Sequence, residues 1–101
     1  MKYLFLINIF LSLWGQFNKI ATSNTIKKEA QDAFQSKNYY KAINSYTMLI
    51  NMYKYTDDGI RLNLAHSYYE IHNFYEASYH YKKLIYSTNL NIRSTALQQL
   101  G

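Results

Sequence analysis

The stretch NYYKAINSYTMLI, Asn38 to Ile50, returns 35 positions later as NFYEASYHYKKLI, Asn73 to Ile85, with six of thirteen positions identical and no gap. No other feature limits the fold as tightly. Repeats of roughly 20–50 residues are supersecondary units that bury their apolar faces against one another. In a chain of 101 residues this period allows two copies and the start of a third. With the copies superposed, Ala30 falls on Ala65, Phe34 on Tyr69, Asn38 on Asn73, Tyr39 on Phe74, Ala42 on Ala77, Tyr46 on Tyr81 and Leu49 on Leu84.

Within each copy the apolar positions follow a helical period. Tyr39, Ala42, Ile43, Tyr46, Leu49 and Ile50 share one face, as do Phe74, Ala77, Ser78, Tyr81, Leu84 and Ile85. The preceding helices align Ile26, Ala30, Ala33 and Phe34, then Leu64, Ala65, Tyr68 and Tyr69. With no Pro and three Gly, the chain has few breakers. Five helices are expected, at about 24–36, 39–53, 57–71, 74–86 and 90–101. Asn38 and Asn73 mark the turns, because Asn tolerates the left-handed backbone that ends a helix. Asp57 and Asp58 suit a helix N-terminus, as does Asn89 or Ser87 further on. Helices in a hairpin approach to about 8–10 Å only where side chains are small. Ala30 with Ala42, and Ala65 with Ala77, meet that need, and Phe34, Tyr46, Tyr69 and Tyr81 fill the space beside them.

This pattern, small-apolar in the first helix and aromatic-x-x-Ala-x-x-x-Tyr in the second, resembles the tetratricopeptide repeat family over about residues 24 to 101. The matching residues are Leu64, Ala65, Tyr68, Phe74, Ala77 and Tyr81 in the second copy, and Ala30, Tyr39, Ala42 and Tyr46 in the first; Leu100-Gly101 falls on the Leu-Gly pair of a third. Glu29 stands where the family has Leu, and the proline between repeats is missing. The resemblance implies an all-α fold of antiparallel helical hairpins stacked as a right-handed solenoid of about two and a half repeats (about 24–56, 57–89 and a partial 90–101). Such arrays need about three repeats, so the expectation is a piece of a longer array, a lone capping helix, or chains pairing through the open C-terminal end.

The family binds extended peptides on its first helices. Groove positions by alignment are Lys27, Lys28, Gln31 and Phe34, then Leu62, Asn63, His66, Tyr69 and Glu70. One branch clamps a C-terminal carboxylate with Lys and Asn, then Asn, then Lys and Arg across three repeats. Lys27 and Asn63 match it, but Gln31, Thr95 and Gln99 replace the others, so that clamp is incomplete.

Residues 1–23 read as an address. Lys2 precedes an apolar run of eleven residues, Leu4 to Trp14. A helix of that length covers about 16 Å of a roughly 30 Å hydrocarbon core. A short positive start, a short apolar core and then polar residues describe a cleaved secretory signal, with an uncleaved anchor or a buried helix as alternatives. Cleavage is expected after Gly15 or in Ala21-Thr22-Ser23. Signal plus repeat resembles exported tetratricopeptide proteins of Gram-negative bacteria, which places the chain in the periplasm or envelope.

No catalytic constellation stands out. There is no Cys, no glycine-rich phosphate loop, and no third ligand beside His66 and Glu70 to make a metal site; those two, four apart, read as a surface pair. Net charge is +5, short of a dense basic stripe. Tyr75, Tyr79, Lys82 and Tyr86 form an outward stripe that could stack on single-stranded nucleic acid, but export argues for a protein partner there. The expectation is a non-catalytic scaffold that binds protein or peptide, without cofactor or nucleic acid; a self-assembling structural part is the alternative.

Overall fold

The computed structural model describes residues 22–55 and 57–101. Among them five helices and no strand occur: α1 (22–35), α2 (Tyr39–Asn51), α3 (Asp58–Glu70), α4 (Phe74–Lys82) and α5 (Leu90–Leu100). The apolar run at 4–14 lies outside the described residues. No described helix is long and apolar enough to cross a membrane. Ser23 is buried and accepts a hydrogen bond from the Tyr55 hydroxyl at 3.2 Å, so cleavage after Ser23 would remove a packed residue.

The two hairpin turns are built alike. Lys37 and His72 take the left-handed conformation, at φ 65° and 63°. The Asn38 N–H donates to the Ala33 carbonyl at 2.8 Å and the Asn73 N–H to the Tyr68 carbonyl at 2.9 Å, which closes the six-residue helix-end motif. The asparagines were expected to carry the left-handed backbone; the residue before each carries it instead. Asn38 and Asn73 have negative φ and cap the next helix, their side-chain oxygens accepting from the Lys41 and Glu76 N–H groups at 3.4 and 3.3 Å. Turn and cap thus sit on adjacent residues, and the chain reverses in three.

Asp57 caps α3, accepting from the Gly59 N–H at 2.7 Å, while Asp58 stays in the first turn and accepts from the Ser87 hydroxyl at 2.6 Å. Ser87 is therefore engaged elsewhere, and α5 is capped by Asn89, whose side chain accepts from Asn91 and Ile92. The largest boundary departure is at α4, expected to reach 86 and ending at Lys82. There the N–H groups of Lys83, Leu84 and Ser87 each bond the carbonyl three residues back, which tightens the coil into turns. Leu84 remains buried and Ile85 still packs on the core, so burial continues past the helix end.

Two apolar clusters follow the two hairpins. The first holds Ala30, Ala33, Ala42, Ile43, Tyr46, Leu49, Ile60 and Leu64; the second holds Ala65, Ala77, Tyr81, Leu84 and Ala96. Tyr68 packs against both, so α3 joins them. All four expected alanines are buried, and the Tyr46 and Tyr81 side chains are only 1 % and 2 % exposed. Burying each large side chain contributes about 1.5–3 kcal/mol. The Phe34–Tyr39 edge contact (centroids 6.0 Å apart) returns 35 residues later as Tyr69–Phe74 (5.2 Å), with the two ring types exchanged. Two expectations fail here: Phe74 and Tyr69, expected as packing residues, are 51 % and 43 % exposed and meet edge-on at the surface. Tyr53 and Tyr55, in the loop between the copies, pack against the first cluster.

Candidate functional site

α1 and α3 flank a groove of about 250 Å³. Lys27 and Gln31 line it from α1 and Leu62 and Asn63 from α3, above a floor that includes Tyr46 and Ile60. These spacings, four on α1 and one on α3, bring the groove residues expected from sequence onto facing walls. Asp57 and Gly59 close one end. A Cβ at Gly59 would stand 3.0 Å from the capping Asp57 carboxylate, so glycine there lets the acid fold over the helix start. The groove therefore presents a cation, two amides and an acid around a partly apolar floor.

Asn63 has two tasks. Its side-chain amide donates to the Tyr46 hydroxyl at 3.1 Å, leaving its carbonyl oxygen for other contacts. One turn along α3 the His66 ring Nδ1 meets the Tyr81 hydroxyl in a short hydrogen bond. His66 was read as half of a surface pair with Glu70. It is instead half-buried and held by a tyrosine, and among the described residues no ion pair joins it to Glu70. Burial lowers the His66 pKa, partly offset by the Glu70 charge, so the ring is neutral. Burial raises the Tyr46 pKa against the opposing hydrogen bond from Asn63. Burial, with Tyr69 and Glu70 nearby, pushes Tyr81 up to about 12. Both phenols therefore stay protonated as structural groups.

The remaining expected groove residues are not brought together with these. Lys28 is turned outward, and its ammonium bonds the Asp32 carboxylate one turn on at 2.9 Å. Phe34 packs edge-on against Tyr39 and Tyr46. Tyr69 lies against Phe74, and Glu70 is exposed at the end of α3. The groove thus narrows to Lys27, Gln31, Leu62 and Asn63.

A second and larger cavity, about 360 Å³, opens between α2 and α4 over the other face of α3. Arg61, Tyr68, His80 and Lys83 line it, together with Thr47 from α2. Arg61 Nη1 donates to His80 Nδ1 at 2.9 Å. Lys83, rather than the expected Lys82, lies over the Tyr79 ring, 4.9 Å from its centroid. The i, i+4 spacing of Tyr79 and Lys83 was the available signal, whereas the Arg61–His80 pairing spans two helices and has none in sequence. Tyr40, Tyr75 and Tyr86 face solvent as expected.

Among the described residues no group of three or more His, Cys, Asp or Glu could hold a metal ion. Comparison with protein-family models, with curated proteins and with solved structures gave no match.

Proposed function

We propose that the chain is a non-catalytic helical-repeat scaffold that binds an extended segment of a protein partner in the α1–α3 groove. The observation that carries this reading is the convergence of Lys27, Gln31 and Asn63 on one groove, while the residues shared by the two copies, the exposed Tyr40 and Tyr75 apart, are spent on packing and helix capping. Lys27 supplies charge to an acidic group of the segment. Gln31 and the free oxygen of Asn63 pair with its backbone, and Leu62 and Ile60 take an apolar side chain. Binding costs little ordering because the helices are already fixed. The arrangement of a tetratricopeptide-like solenoid, and export to the periplasm or envelope on the apolar N-terminal segment, complete the reading.

The exposed Leu90 and Leu97 of α5 favour a second reading, self-assembly through that helix. Selection of a random peptide library on the immobilised full chain, counter-screened on Lys27→Glu, tests the first. Peptides that prefer the parent chain support it; a library that yields none, with a concentration-dependent dimer in sedimentation that Lys27→Glu leaves unchanged, supports the second. N-terminal sequencing of the exported chain tests cleavage, and retention of Met1 would refute it.

A further inference from the structure

The α2–α4 cavity lies across α3 from the groove and is independent of the peptide reading. Its chemistry begins with an unusual pairing. A guanidinium carries five donors and no acceptor, so the bond from Arg61 requires His80 Nδ1 to be the bare nitrogen and puts the ring proton on Nε2. Arg61 therefore meets a neutral partner where a partly buried guanidinium ordinarily meets a carboxylate. Among the described residues no carboxylate lies within ion-pair distance of it. The bond to His80 engages one nitrogen of the fork.

The wall that carries these groups is built from packed rings. His80 stacks on Tyr68 with ring planes 5° apart, and Tyr79 meets it edge-on at 5.0 Å. Tyr79 in turn seats the Lys83 ammonium. On the opposite wall the Thr47 hydroxyl is shielded from solvent and has no hydrogen-bond partner. Glu76 is the acid on the cavity wall, against the charges of Arg61 and Lys83. The three groups of the wall are thus two cations and an N–H, and the shielded Thr47 hydroxyl is not among the donors the cavity presents.

We infer that this cavity is a binding site for a small oxyanion, a carboxylate or a phosphate, held by Arg61 and Lys83 with the His80 ring N–H completing its donors. The anion takes the place beside Arg61 that a carboxylate of the chain would otherwise fill. The planar fork suits either oxyanion, and the ammonium acts as a point charge. Burial together with the Arg61 and Lys83 charges depresses the His80 pKa to about 4, and a bound anion opposes the latter two effects.

The test is nuclear magnetic resonance of the labelled full chain near pH 7, following His80 and Arg61 side-chain signals during titration with inorganic phosphate, sodium acetate, or sodium chloride at matched ionic strength. Saturable shifts with phosphate or acetate are expected, whichever binds more tightly naming the source. The His80 titration midpoint should rise on binding. Arg61→Gln should weaken binding at least tenfold. Exposed Lys83→Gln, which leaves the Arg61–His80 bond in place, should weaken it several-fold without changing the melting temperature, and Glu76→Gln should tighten it. Shifts that chloride reproduces, that stay linear in anion concentration, or that persist unchanged in Lys83→Gln would overturn the assignment.

Discussion

The side-chain amide of Asn63 donates to the hydroxyl of Tyr46 at 3.1 Å, and so binds the second helix of one hairpin to the first helix of the next. Thirty-five residues after Tyr46, the Tyr81 hydroxyl contacts His66 on the same helix, but within its own hairpin rather than between hairpins. Two buried phenols that the repeat requires for packing are thus tied to two neighbouring side chains of α3. A half-buried neutral hydrogen bond contributes about 1 kcal/mol. Asn63→Ala and Tyr46→Phe should each lower unfolding stability by about that much, and the double variant by less than the sum. Urea unfolding of the four proteins measures this; additive costs would mean that the bond contributes nothing.

The hairpin turns hold a removable strain. Lys37 is a non-glycine residue in the left-handed region, where a Cβ costs roughly 1 kcal/mol. Lys37→Gly should raise stability by about 0.5–1 kcal/mol, the gain being reduced by the added freedom of the unfolded chain. Asn38→Ala, which removes the cap, should lower it by about 1 kcal/mol. Thermal melts that move both variants in the same direction would contradict this division of labour between adjacent residues.

Ala77 is 2 % exposed and shares the second cluster with Ala65. Leucine there should overpack the α3–α4 contact and cost about 1–3 kcal/mol. A differential scan of Ala77→Leu that shows no lowering of the melting temperature would place the closest helix approach elsewhere.

Stability should fall on mild acidification. The His80 pKa stands at about 4 against its ordinary 6.5, through burial and then the Arg61 and Lys83 charges. A group whose folded pKa is depressed contributes stability that is present above the unfolded value and lost as pH falls through the folded one. The window is therefore pH 6.5 down to 4, and the loss is roughly 2–3 kcal/mol. His66, also lowered, acts with the same sign. Denaturant midpoints across this range check the direction, and His80→Gln should flatten much of the slope.

The hairpins were legible because packing leaves a periodic trace. Ala30, Ala42, Ala65 and Ala77 had to be small, Tyr46 and Tyr81 large, and the 35-residue offset aligns them. Local rules were less decisive where two acted on one residue. Asparagine suits both a left-handed turn and a helix cap, and the cap prevailed at Asn38 and Asn73. The groove was legible where register alone decides, as at Lys27, Gln31 and Asn63. At Lys28 the signal was present in the i,i+4 spacing to Asp32, which pairs with the ammonium; at His66 it was absent, because its partner lies 15 residues off on another helix. The Arg61–His80 pair, 19 residues apart on two helices, depends on the same long-range fit.

The claim that packing and capping take up most of the repeated residues and leave the α1–α3 groove for recognition is tested most directly by binding and melting the same variants. A fluorescent peptide selected on the full chain should bind Lys27→Glu at least tenfold more weakly, and Gln31→Ala several-fold more weakly, while both melt within about 0.5 kcal/mol of the parent. Equal affinity of such peptides for the parent chain and for Lys27→Glu would contradict the account.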